Sequence, residues 1–158
     1  MDKFIIKTIV LLSLILGAIL GLLAPIPYVG MIMLFAALLL AAPIVVLYLI
    51  MDGKFDLTTV KDSIITGALI GFVSNIAFST MYAIVMAVLV KCFNFTTNFL
   101  LTAMITHSPI WLLGVFIVFI GTLSAVTNAF SGFITYYVIN FIRDLYEKKQ
   151  KINNKKEI

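Results

Sequence analysis

Four long apolar segments separated by short polar ones set the pattern of this chain. The first covers residues 4–23, and behind it Pro25-Ile26-Pro27 ends the helix. Each proline lacks an N–H and keeps the residue before it out of the helical region. The second covers residues 28–51 and holds Pro43, which predicts a kink that frees the carbonyl of Leu39. A polar loop, Asp52-Gly53-Lys54-Phe55-Asp56, follows, with Gly53 placed to cap the helix. Thr59 and Asp62 stand at capping-box spacing and open the third segment, residues 60–90. The fourth covers residues 110–142 and, at about 1.5 Å per residue, exceeds roughly 30 Å of hydrocarbon, so it tilts or projects. A bilayer crossing takes about 20 apolar residues. The pattern predicts an all-α integral membrane helical bundle of four transmembrane helices.

Between the third and fourth segments the pattern changes. Asn98, Thr102 and Thr106 fall four apart, on one helical face, in a run too short to cross. Residues 95–108 read as a short outer interfacial helix or a re-entrant one. After Arg143 the chain turns polar. Residues 1–147 read as a single transmembrane domain and residues 148–158 as a basic cytoplasmic tail, frayed helix passing into disorder.

Composition removes the alternatives. Hydrophobic residues make up 63 % and charged residues 11 %, against roughly 45–50 % and 25 % in soluble domains. So few charges could not cover a soluble surface, and disorder needs the opposite balance. Lys3 and Lys7 before the first apolar run give it the look of a secretory signal. Pro25 and the bulky Leu22 fit a cleavage site poorly, so the run reads as a retained span.

With four spans and both ends on one side, that side carries Lys3, Lys7, Lys54, Lys61, Arg143, Lys148, Lys149, Lys151, Lys155 and Lys156, and the other only Lys91. By the positive-inside rule both termini face the cytoplasm of a plasma (inner) membrane. A five-span rival would put the basic tail outside. Tyr28 and Trp111 fall at the outer ends and Tyr48, Tyr136 and Tyr137 toward the inner ends, as interfacial aromatics do. The tail lysines Lys148, Lys149, Lys151, Lys155 and Lys156 are the candidate contacts for anionic lipid head groups or a partner, at about 1 kcal/mol each near the surface.

Catalytic signatures are missing. The carboxylates Asp2, Asp52, Asp56, Asp62, Asp144, Glu147 and Glu157 all lie outside the spans, whereas proton relays place such groups inside. No span holds an arginine series of the voltage-sensing kind. His107 is the one imidazole and Cys92 the one thiol, which leaves no disulfide and no zinc set. Asp52, Asp56 and Asp62 lack calcium-loop spacing, no glycine-rich phosphate loop is present, and Asn94-Phe95-Thr96 is a sequon close against the membrane. No cofactor, no metal and no nucleic-acid partner is expected.

The positive signal is an asymmetry. The second segment has no polar side chain between Met31 and Leu47, while the third and fourth are rich in hydroxyls and amides. Gly67, Gly71 and Asn75 recur every four residues, and Gly114, Gly121, Ala125, Asn128 and Gly132 recur at steps near 3.5. In lipid, small residues let helices approach closely and polar side chains bond across the contact. These eight residues are the expected packing seam. Ser74, Ser79, Thr127, Ser131 and Thr135 are the candidate lining of a polar path. Gly17-Ala18-Ile19-Leu20-Gly21 also resembles Gly67-Ala68-Leu69-Ile70-Gly71, fifty residues on, a spacing that would suit a duplicated hairpin or chance alike. The expectation is a non-enzymatic membrane accessory or assembly protein, a homo-oligomer or a part of a larger membrane complex. The alternative is a small oligomeric permease or channel for a neutral or zwitterionic substrate.

Overall fold

A computed structural model describes residues 3–53 and 59–154, without the side chains of 151–154. Among the described residues five helices make up the fold: α1 (Lys3–Leu23), α2 (Val29–Met51), α3 (Val60–Phe93), α4 (Phe99–His107) and α5 (Ile110–Asn154). Among the described residues there is no strand. α1, α2, α3 and α5 are long and apolar enough to cross a membrane, so the fold is an all-α bundle of four candidate spans with one short helix between the third and fourth.

The helix ends follow local chemistry. Thr59 caps α3: its hydroxyl oxygen accepts from the Asp62 N–H at 3.1 Å, and its O–H donates to Asp62 Oδ2 at 2.8 Å. Gly53 closes α2 at φ +67°, and Asn94 closes α3 in the left-handed region at φ 50°. The α1–α2 turn is tight enough that Gly30 lies on the Ala24 carbonyl, where a Cβ would overlap the oxygen. Asn98 caps α4 by accepting from the Leu101 N–H at 3.1 Å. The hydroxyls of Thr102 and Thr106 donate back to the carbonyls of Asn98 and Thr102, and Leu101 is the buried residue of this helix.

α3 is the centre of the bundle, and glycines set its contacts. Gly17 and Gly21 of α1 lie on the carbonyls of Ser74 and Phe78. Both numbers rise together, so α1 and α3 are parallel. Gly67, Gly71 and Gly132 lie on the carbonyls of Asn128, Ser124 and Ser63. Here the numbers run oppositely, so α3 and α5 are antiparallel. The two similar glycine pairs thus build crossings of opposite sense. α2 completes the bundle near the termini, where Ala41, Ala42, Val45, Val46 and Leu49 pack with Ile9, Ile70 and Ile139.

One expectation is corrected. Helix runs further than expected: α5 continues through Arg143 to Asn154 over 45 residues, about 67 Å at 1.5 Å per residue, and residues 155–158 lie outside the described residues. Opposite charges four apart, Arg143 and Glu147, then Asp144 and Lys148, support such an extension. Lys148 and Lys149 are exposed on it. Lys54, Lys155 and Lys156 lie outside the described residues, and Lys151 is described in its backbone only.

Candidate functional site

The helix break in α2 organises the interior of the bundle. Pro43 has no N–H to give and its ring crowds the carbonyl one turn back. α2 answers with a π-helical turn at Ala36–Leu40, after which Leu40 sits at φ −105°, ψ −7°. Backbone groups released inside a bilayer must find partners within the protein. Asn128 of α5 supplies them. Its Oδ1 accepts from the Ala42 N–H at 2.8 Å, and its Nδ2 donates to the carbonyls of Leu38 at 2.8 Å and Ala37 at 3.3 Å. Ser124 Oγ and its carbonyl hold the same amide from within α5 at 3.2 and 3.1 Å. The Thr127 hydroxyl donates to the Leu38 carbonyl at 2.7 Å. One donor meets Oδ1 and several acceptors surround Nδ2, which fixes the orientation of the amide.

The rest of the expected seam divides. Gly67, Gly71 and Gly132 lie at backbone-to-backbone contacts, and Gly121 packs on Ile76 and Phe72. The Ser63 hydroxyl donates across the seam to the Gly132 carbonyl at 2.6 Å. Gly114 does not belong to it: a Cβ there would meet nothing within 4 Å. Gly114 is exposed, whereas Leu113 and Ile117 beside it are half-buried and border cavities with Ala83 of α3, and a period near 3.5 cannot show which of two neighbours turns inward. Ala125 is half-buried at the flank, and Ser124, one residue earlier, is fully buried against Gly71. Sequence reasoning missed Ser124, Gly17 and Gly21 as contact residues. The signal for the last two was present in the glycine pair shared with α3.

The candidate path residues are not brought together. Ser74 is buried on the α1 side and its hydroxyl returns to the Gly71 carbonyl at 3.3 Å. Thr127 faces α2. Thr135 donates to the Ser131 carbonyl at 2.8 Å along α5 itself, with Ser131 half-buried. Ser79 donates to Asn75 Oδ1 at 3.1 Å. Asn75 is fully buried, and its Nδ2 has no partner among the described residues.

An opening in the bundle lies at the end away from the termini. Beyond its π turn the far part of α2 packs on α1 and leans away from α3, α4 and α5. Two adjoining cavities of about 270 and 240 Å³ result, sharing Leu34, Phe78, Tyr82 and Asn98. The outer one is bounded by the α1–α2 turn and Thr97. The inner one runs down to Leu113, Phe116, Ile117 and Ile120 under the roof residue Leu101. Among the described residues no Asp, Glu, Lys, Arg or His is buried, and no group of three or more His, Cys, Asp or Glu is placed to hold a metal ion. Set against known protein families, curated proteins and solved structures, the chain matches none of them.

Proposed function

We propose that this chain is a non-enzymatic accessory or assembly protein of the plasma (inner) membrane, acting through helix–helix contacts, with both termini in the cytoplasm. The carrying observation is that Ser63, Ser124, Thr127 and Asn128 spend their polar groups closing contacts between helices or holding the groups that do. Groups used in this way support a fixed scaffold rather than a hydrated path. Acid–base side chains lie at the ends of the helices, which supports a role without chemistry at membrane depth. Lys3, Lys7, Lys61, Arg143, Lys148 and Lys149 lie toward the termini and Lys91 at the opposite end, which supports the cytoplasmic placement. The α5 extension carries its basic residues beyond the bilayer toward anionic head groups or a partner, as a homo-oligomer or within a larger membrane complex.

A second reading draws on the cavity and on Asn75: a small oligomeric permease for a neutral or zwitterionic substrate. One experiment separates the two. The tagged full-length protein is extracted from its own membrane in mild detergent, cross-linked, sized, and then reconstituted into vesicles loaded with neutral and zwitterionic solutes. The accessory reading expects a stoichiometric assembly and solute release at the rate of empty vesicles. Accelerated release by the purified chain alone would overturn it in favour of the permease.

A further inference from the structure

We propose that the cleft between α2, α3 and α5 is a binding site for one phospholipid, which inserts an acyl chain beside Phe78 and leaves its glycerol esters at Tyr82 and Asn98. The cleft exists because the π turn and Pro43 turn the far part of α2 away from α3. Its polarity is graded. The deep part is Leu113, Phe116, Ile117 and Ile120, with Leu34 and Phe78 at the junction of the two cavities. Ser79, the one hydroxyl there, is turned to Asn75 Oδ1 and presents no free donor to the cavity. At the mouth the Tyr82 hydroxyl and Asn98 Nδ2 hold no hydrogen-bond partner among the described residues, and both border the two cavities. Two neutral donors at the mouth of an apolar hole match an ester carbonyl followed by a hydrocarbon chain.

Size selects between occupants from the bilayer. A helix from a second copy is about 10 Å across with its side chains, and an inner cavity of about 240 Å³ roofed by α4 does not admit one. The first several methylenes of one flexible chain are of that size, since an apolar cavity of about 150 Å³ holds a benzene ring. No charged residue borders either cavity, so recognition rests on the chain and the esters, and head-group charge has little effect. This inference holds under either functional reading.

The test is carried out on full-length protein with Trp111→Phe, to remove the native fluorophore, and Phe78→Trp. Phe78 is 2 % exposed and borders the cleft. The protein is reconstituted into phosphatidylcholine or phosphatidylglycerol vesicles, with or without bromine on the acyl chains. Bromolipid should lower the emission at least twofold, equally for both head groups. Ala83→Phe, or Ile117→Phe, fills the cleft from one wall and should restore the emission. Absence of quenching, quenching that survives both fillers, or quenching confined to one head group overturns the proposal. If the fillers do not fold, native mass spectrometry of the unmodified protein decides: one phospholipid retained through delipidating detergent supports the site, and none retained overturns it.

Discussion

Replacing Asn128 by leucine tests whether the amide or the surrounding packing holds the break in α2. Leucine keeps most of the volume and removes every hydrogen bond. The Ala42 N–H then loses its partner at 2.8 Å, and Ala37 keeps only a distant Ser124 hydroxyl at 3.5 Å. The Leu38 carbonyl retains Thr127. An average side-chain hydrogen bond in a membrane protein is worth about 0.6 kcal/mol, because the separated helices find other partners. Here the partners are backbone groups set free by a proline inside one helix, and they stay orphaned. At about 1–3 kcal/mol per orphaned group, two of them give an expected loss of about 2–4 kcal/mol. The assay is reversible unfolding in mixed micelles by titration with a denaturing detergent. Pro43→Ala supplies the control, because it gives α2 the chance to resume regular bonding. In that background Asn128→Leu should cost at least about 1 kcal/mol less, a coupling well outside the additivity of distant sites. A loss under about 1 kcal/mol, or additive single effects, refutes the assignment of Asn128 as partner of the freed backbone.

Gly71→Leu would press a side chain onto Ser124 and Asn128, where a Cβ alone comes within 2.5 Å of Asn128 Cβ; a loss of at least about 1–3 kcal/mol is expected in the same titration. Gly114→Leu, over open space, should stay within about 0.5 kcal/mol of the parent or stabilise the helix. In a Cys92→Ala background, a cysteine at Asn98 should react with a membrane-impermeant thiol reagent on intact cells, and labelling only after lysis would reverse the proposed orientation. Truncation after Glu147 should leave insertion unchanged, since Lys3, Lys7, Lys54, Lys61 and Arg143 still mark the proposed inside, and a labelling pattern inverted by the truncation would show otherwise.

What was legible in the sequence follows from what periodicity encodes. The spans, the Thr59 cap, the Gly53 cap and the short helix after Asn98 are local, and local signals carried them. Gly67, Gly71, Asn128 and Gly132 were legible as a seam because a small residue repeated every turn has few other uses in lipid. The partner of Asn128 was not legible. Pro43 announced a free carbonyl at Leu39, but where the freed groups would lie depends on a π turn, which shifts the register of Ala37, Leu38 and Ala42. That α1 rather than α2 lies along the glycine face of α3 depends on a contact between residues more than fifty positions apart. Gly114 was misread because the period of the stripe does not tell whether Gly114 or its neighbour Leu113 turns toward α3.

The two buried asparagines make opposite predictions, and the contrast isolates what an amide does at membrane depth. Asn75 and Asn128 are both fully buried, and each stands four residues from a small partner in its own helix, Ser79 or Ser124. Asn128 reaches across to another helix, whereas Asn75 accepts from Ser79 and leaves Nδ2 unpaired among the described residues. A buried donor without a partner carries a penalty of about 1–3 kcal/mol. Leucine at position 75 would remove that penalty at similar volume. The Ser79 hydroxyl would keep a partner, because a helical serine can bond the carbonyl four residues back. Asn75→Leu should therefore leave stability unchanged or raise it by up to about 1 kcal/mol, although substitutions at buried sites more often destabilise. Alanine is the wrong probe, since the cavity it leaves would hide the gain. A loss of more than about 1 kcal/mol on Asn75→Leu would mean that Nδ2 is bonded in the membrane and that the two amides do the same work.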